Sequence, residues 1–158
     1  MIFMASEIPS FKDIAKQINA SYKGDEQPVT SISIDSRTIQ PKQWFAAIKG
    51  PNFDGHEFIK DAIKNGATGL IVSSYQDHFK KLPQIVTKDT TLALGEIAKA
   101  WRENFDIPVI GITGSTGKTS TKEMLFSILK QRFNVLATVG NYNNEYGLPL
   151  SIMRLKPE

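Results

Sequence analysis

Residues 108–131 read PVIGITGSTGKTSTKEMLFSILKQ, and this stretch constrains the fold more than any other. The apolar run at 108–113 reads as a buried strand and 114–117 as a glycine-rich turn. The segment 118–131 reads as a helix with Met124, Leu125, Ile128 and Leu129 facing inward. A further apolar run at 133–137 (FNVLA) reads as a second strand. Strand, loop, helix, strand is the right-handed crossover unit of a parallel sheet. Its loop, Gly114-Ser115-Thr116-Gly117-Lys118-Thr119-Ser120, suits phosphate binding. Glycines let several backbone N–H groups converge on phosphate oxygens, a lysine at the helix start reaches the outer phosphates, and the hydroxyl beside it ligates Mg²⁺. Those two residues are Lys118 and Thr119. The commoner spacing puts a glycine five residues before Gly117, where Ile112 stands, so this is the shorter Gly-x-x-Gly-Lys-Thr form. The competing reading is a helix start with incidental glycine and lysine.

The first hundred residues carry a different, mixed pattern. Ser10 followed by Asp13 reads as the cap of a helix with Phe11, Ile14, Ala15 and Ile18 on one face. The segment 29–35 alternates, with Ile32 and Ile34 on one side, and reads as a strand. The run 44–48 reads as a second strand ending at the turn Gly50-Pro51. A short helix at 56–65 closed by Gly66, strands at 69–73 and 84–87, and a helix at 90–105 with Leu94, Ile97, Ala98, Trp101 and Phe105 on one stripe follow. A domain boundary near Asp106 separates this α/β module, 1–105, from the glycine-loop unit, 106–158. About 50 residues with two strands and one helix are too few to close a parallel sheet. The expectation is therefore a chain that forms the front part of a longer protein, with an open edge through which 106–158 self-associates.

Composition narrows the classes. With 41% apolar and 22% charged residues, the chain of 158 residues is of ordinary globular type. It has no cysteine, which excludes disulfides, thiolate metal sites and thiol catalysis, and which suits a cytoplasmic protein. The net charge of +3, spread among acids, argues against nucleic acid as a partner. No apolar run approaches the roughly 20 residues of a membrane span, and the first ten residues do not read as a signal peptide.

Three polar segments are candidates for ligand contact. Asp35-Ser36-Arg37 ends the first strand of the module; it either caps the next turn or presents a hydroxyl, an N–H group and a guanidinium to a diphosphate. Gly50-Pro51-Asn52-Phe53-Asp54-Gly55-His56 is a turn leading into a helix, with His56 as either a capping residue or a ligand contact. Gly140-Asn141-Tyr142-Asn143-Asn144-Glu145-Tyr146-Gly147-Leu148-Pro149 follows the strand read at 133–137, where loops of parallel sheets line ligand crevices; a plain polar loop is the alternative.

Taken together, DSRTIQPKQWFAAIKGPNFDGHEFI (35–59), NGA (65–67), GITGSTGKTSTKEM (111–124) and GNYNNEYGLPL (140–150) resemble the Mur ligases of peptidoglycan synthesis. The segments come in family order, and the family loop also has the short form that explains Ile112. Thr116 stands where asparagine is frequent. The NNExGLP form resembles the branch that adds D-alanyl-D-alanine to UDP-N-acetylmuramoyl-tripeptide. The resemblance implies an α/β architecture: a small mixed N-terminal UDP-substrate domain at 1–105, then the first β-loop-α-β unit of a parallel-sheet ATPase domain at 106–158. It implies ATP and Mg²⁺ as cofactors, bound by Thr113, Gly114, Ser115, Thr116, Gly117, Lys118, Thr119 and Ser120. Lys118 would be catalytic and Thr119 the metal ligand. Ser36, Arg37, Thr38, Asn52, Asp54, Gly55 and His56 would bind the UDP portion, and Asn143, Asn144 and Glu145 would line the substrate crevice. The implied protein is a cytoplasmic, monomeric amide ligase working through an acyl phosphate, and a chain ending within its ATPase domain would be inactive by itself. Two readings compete with it: another ligase of the Mur or folylpolyglutamate synthase kind, and a noncatalytic UDP-sugar or nucleotide-binding module.

Overall fold

The computed structural model describes residues 10–27, 31–140 and 144–156. Helix α1 (Phe11–Gln17) starts where the Ser10 Oγ accepts the Asp13 N–H at 3.2 Å, the cap expected from sequence. Strands β1 (Ser21–Lys23), β2 (Ser31–Ser33) and β3 (Gln43–Ala46) follow, then a 3₁₀ turn (Gly55–Phe58) running into α2 (Ile59–Lys64). Strands β4 (Gly69–Val72) and β5 (Gln84–Val86) lead to α3 (Thr90–Arg102). Helices α4 (Lys118–Leu129) and α5 (Gly147–Ile152) complete the described elements.

One five-stranded sheet in the order β1-β5-β4-β3-β2 organises the module, parallel throughout except for β1, which runs antiparallel to β5. Both faces are covered, so the central strands are apolar on both sides. Trp44, Ala46, Ile71 and Ile85 point to the face shared with Phe11, Ile14, Leu94 and Ile97 of α1 and α3. Phe45, Ala47, Leu70 and Val72 point the other way, onto Ile59 and Ala62 of α2. The Trp44 indole lies against Gly69, where an added Cβ would sit 2.2 Å from the ring. Only a residue without a side chain fits at that point of β4.

The structure corrects several elements read from sequence. The helix expected at 56–65 starts as a 3₁₀ turn, because the Asp54 carboxylate caps the His56 N–H at 2.9 Å and winds the first turn tightly. The helix expected to reach residue 105 ends at Arg102, where the Asn104 amide donates back to the Ala100 and Trp101 carbonyls and turns the chain away. The runs 108–113 and 133–137 were both expected as strands, and neither enters a ladder among the described residues. An extended run becomes a strand by pairing its N–H and C=O groups, and these two have no partner strand. The expected inward face of α4 is uncovered for the same reason: Met124 is 67% and Ile128 66% exposed.

Helix α5 is an element absent from the sequence reading, which took 140–149 as loop. It packs on α3, with Met153 buried and Tyr146, Leu150, Ile152 and Leu155 against the α1–α3 core. The Trp101 Nε1–H donates to the Leu155 carbonyl at 3.2 Å. Residues 144–156 thus lie against the first module. Among the described residues, no helix is long and apolar enough to cross a membrane.

Candidate functional site

Parallel strands place their carboxyl ends along one edge, and that is where open α/β sheets gather ligand-binding loops. Here β2 delivers Asp35-Ser36-Arg37 to that edge, β3 delivers the 49–56 turn, and β4 delivers Ser73. The fold thus brings two of the three candidate segments side by side. Asp35 takes three hydrogen bonds from Arg37: backbone N–H and Nε–H to Oδ1, both at 2.9 Å, and Nη2–H to Oδ2 at 2.8 Å. The guanidinium bonds, with the backbone N–H adding to them, hold the Asp35 carboxyl down at about 2, and the carboxylate in turn raises Arg37. The Arg37 side chain is 85% exposed. Two of its five N–H groups are engaged, so three project outward as donors in a fixed plane. Ser36 is buried, and its carbonyl accepts the Asn65 Nδ2–H at 2.8 Å. Thr38 is exposed.

The turn after β3 is held by backbone approach. Gly55 N–H donates to the Ile48 carbonyl at 2.8 Å, and Lys49 bridges Asp54. A Cβ on Gly55 would lie 2.7 Å from both Ile48 N and Ile48 O, so the chain closes there only with glycine. His56 is engaged on both ring nitrogens. The Ser73 backbone N–H can only donate, so Nε2, at 2.9 Å, accepts; Nδ1 then carries the proton toward the Asp54 carboxylate at 2.6 Å. The Ser73 hydroxyl lies 3.0 Å from the same Nε2. The backbone N–H and the ring of His56 together keep Asp54 below the usual carboxylate range. His56 therefore ties β4 to the turn, and its ring nitrogens are already spent. Asn52 lies exposed at the turn's tip.

The glycine-lysine loop leads into α4, which begins at Lys118. Gly117 caps α4 in the left-handed region (φ 77°) with no side-chain cap, and Gly114 has φ 152°. The first-turn N–H groups of α4 thus point out of an open helix head, where anions are favoured. Thr113 to Ser120 are all exposed. The Lys118 ammonium folds back onto the Gly114 carbonyl, across the mouth of the loop. In the third segment, Asn144 Oδ1 accepts the Gly147 N–H at 2.8 Å and starts α5, while Glu145 is exposed. Asn143 lies outside the described residues.

Sequence reasoning left Ser73 and Lys122 without roles and gave Asn65 none beyond its place in a motif. Asn65 and Ser73 bond to partners 29 and 17 residues away, so no local spacing marks them. Lys122 is half-buried beside the loop helix, with its ammonium on the Thr138 and Gly140 carbonyls at 2.8 and 3.2 Å.

This combination of a two-faced sheet carrying an Asp-Ser-Arg edge and a short glycine-lysine loop has a family. Residues 28–102 match the Mur ligase family, catalytic domain, and residues 112–158 match the Mur ligase middle domain. The chain belongs to the Mur ligase family. Within it, the matched relatives include the UDP-N-acetylmuramoyl-tripeptide–D-alanyl-D-alanine ligase of Escherichia coli K12, 42% identical over 89% of this chain and 31% of that protein. A solved ligase of the same kind from Acinetobacter baumannii superposes with a TM-score of 0.83 at 34% identity, over 98% of this chain and 35% of its own. The MurF ligase of Thermotoga maritima, solved in complex with ADP, gives a TM-score of 0.69 at 37% identity, over 80% of this chain and 29% of its own. The chain spans about a third of the length of these relatives.

Proposed function

We propose that this chain forms the UDP-substrate module, 1–105, and the opening of the ATP-binding domain, 106–158, of a cytoplasmic ligase that joins D-alanyl-D-alanine to UDP-N-acetylmuramoyl-tripeptide in peptidoglycan synthesis. The observation that carries the reading is the open head of α4, with left-handed Gly117 as its cap and Lys118 at its first position. A side-chain cap would compete with phosphate for the first-turn N–H groups, and none is present. The tripeptide carboxylate attacks the γ-phosphorus of ATP, the bond to the β-phosphate oxygen breaks, and ADP leaves an acyl phosphate behind. The amine of D-alanyl-D-alanine then attacks the acyl carbon, phosphate leaves, and the amine proton goes to solvent or a base.

This chain's own residues position groups and neutralise charge. Lys118 swings from the Gly114 carbonyl to the transferring phosphoryl, and the loop amides hold the flanking phosphates. Thr119 would supply a hydroxyl to Mg²⁺, which would neutralise charge on the phosphates. At the sheet edge, the outward N–H groups of Arg37 and the backbone of the glycine turn take the UDP diphosphate. Asp35, His56 and Asn65 hold that surface in place.

Titration of the chain with Mg-ADP and, separately, with UDP tests this reading. Lys118→Ala should weaken Mg-ADP by about tenfold or more and leave UDP unchanged. In the whole protein the same change should cost about 3 kcal/mol or more of transition-state stabilisation. Equal Mg-ADP affinity in wild type and variant would refute the assignment of the loop.

A further inference from the structure

Lys122 lies four residues after Lys118, on the same face of α4, and the phosphate-site reading gives it no task. Lysine is seldom buried unless paired, yet this side chain is only 16% exposed on a helix whose apolar residues Met124 and Ile128 stand open to solvent. Its ammonium has three acceptors: Thr138 O at 2.8 Å, Gly140 O at 3.2 Å and Glu123 Oε1 at 3.0 Å. An ammonium has three N–H groups, so it is saturated where it sits. Glu123 is 61% exposed, and a pair of that kind adds little. The two carbonyls are the substance of the contact. They belong to the residues that enter the asparagine-rich segment, and Gly140 turns the chain there with φ 53°. At the far side of that segment, Asn144 caps the Gly147 N–H, α5 packs on α3, and Trp101 holds the Leu155 carbonyl. Residues 138 and 140 are therefore held by the phosphate-loop helix, and residues 144–155 by the substrate module.

We propose that Lys122 is a positioning residue that couples the phosphate loop to the chain on either side of the asparagine-rich segment, so that a nucleotide at the head of α4 orders residues 138–140 and 144–147. Lys118 meets the phosphate; Lys122, one turn below it, carries the resulting fixation of α4 to the Thr138 and Gly140 carbonyls. This coupling rests on the nucleotide reading of the loop, whereas the latch itself does not.

Amide hydrogen exchange on the full chain, with and without Mg-ADP, separates the two. Without nucleotide, Lys122→Met should speed exchange at 138–140 and 144–147 by about tenfold, leave the β3–β5 amides unchanged, and be restored by Lys122→Arg to within about threefold of wild type. With Mg-ADP, the wild type should slow further at the same amides, and Lys122→Met should abolish that slowing while its Mg-ADP affinity stays within about threefold. Unchanged exchange in Lys122→Met, or slowing by Mg-ADP equal to wild type, would overturn the proposal. Loss of sheet protection in the variant would overturn it too, by making Lys122 a general folding contact. If Lys118→Ala fails to alter Mg-ADP binding, the nucleotide reading falls while the nucleotide-free exchange still decides the latch.

Discussion

Replacing Gly55 by alanine tests the sheet-edge turn at its tightest point. The new Cβ would meet Ile48 N and Ile48 O at 2.7 Å and Ala47 C at 2.9 Å. All three are backbone atoms that continue from β3 into the core, so no side chain can rotate aside. Relief requires the 49–56 turn to move outward by about half an ångström or more, which stretches the 2.8 Å bond from Gly55 N–H to Ile48 O and the Lys49–Asp54 bridge. Overpacking of this kind costs about 1–3 kcal/mol, and weakening the buried bond adds about 1 kcal/mol. Stiffening of the unfolded chain returns about 0.5 kcal/mol, leaving a net loss of about 1.5–3.5 kcal/mol. Gly95 is the internal control. It lies in mid-α3 with nothing within 4 Å of an added Cβ, so Gly95→Ala should stabilise by about 0.5–1 kcal/mol. Urea unfolding followed by circular dichroism reads both, and UDP titration should show Gly55→Ala binding about tenfold more weakly. A Gly55→Ala midpoint equal to wild type, or shifts of the same sign in both variants, would refute the close-approach argument.

Other outcomes follow from the same edge and the core beneath it. Arg37→Ala should weaken UDP by about tenfold and leave Mg-ADP unchanged in parallel titrations; equal loss of both would return the triplet to a plain turn. A carboxyl resonance titration should find Asp35 ionised down to about pH 2. Because its folded value is depressed, its small stabilising effect is complete above the usual carboxylate range and is lost as pH falls through about 2, and Arg37→Ala should lift the midpoint toward the ordinary value. Gln84 is fully buried, accepting the Gln76 N–H at 2.9 Å and donating to the Gln76 and Phe79 carbonyls at 3.0 and 3.2 Å. Gln84→Leu strands those backbone groups and should cost about 2–4 kcal/mol in denaturant melts.

Strands β3, β4 and β5 were legible because each is a short apolar run between turn residues, and α1 because its cap is written in Ser10 and Asp13. Strand β1 was not legible, since three residues with only Tyr22 half-covered carry no burial pattern; pairing with β5 alone makes it a strand. Helix α5 escaped because GLPLSI reads as a breaker. Its Pro149 falls in the first turn, where a missing N–H costs nothing, and packing on α3 supplies what propensity does not. The opposite error came at 108–113, where strong apolar character suggested a strand and no ladder partner exists among the described residues. At the candidate site, the glycine-lysine loop was legible because its seven residues are contiguous in the chain. Arg37 and Gly55 were found by motif, but that Asp35 aims Arg37 and that His56 is spent on Ser73 required the fold.

The two faces of the sheet differ in how far along the chain their parts lie, and this sets an order of assembly on the ribosome. The α2 face draws on residues from Ile39 to Val72 and can close as soon as that stretch has emerged from the exit tunnel. The opposite face begins with Phe11 and is completed by Met153, and its edge strand β1 waits for β5, with Ser21 pairing Val86. Long-range closures are slow because a large loop must be fixed before any contact rewards it. During synthesis, Phe11, Ile14 and Trp44 therefore stay exposed well after the α2 layer has formed. That interval, rather than the finished fold, is when the most apolar surface of the nascent module stands open to water.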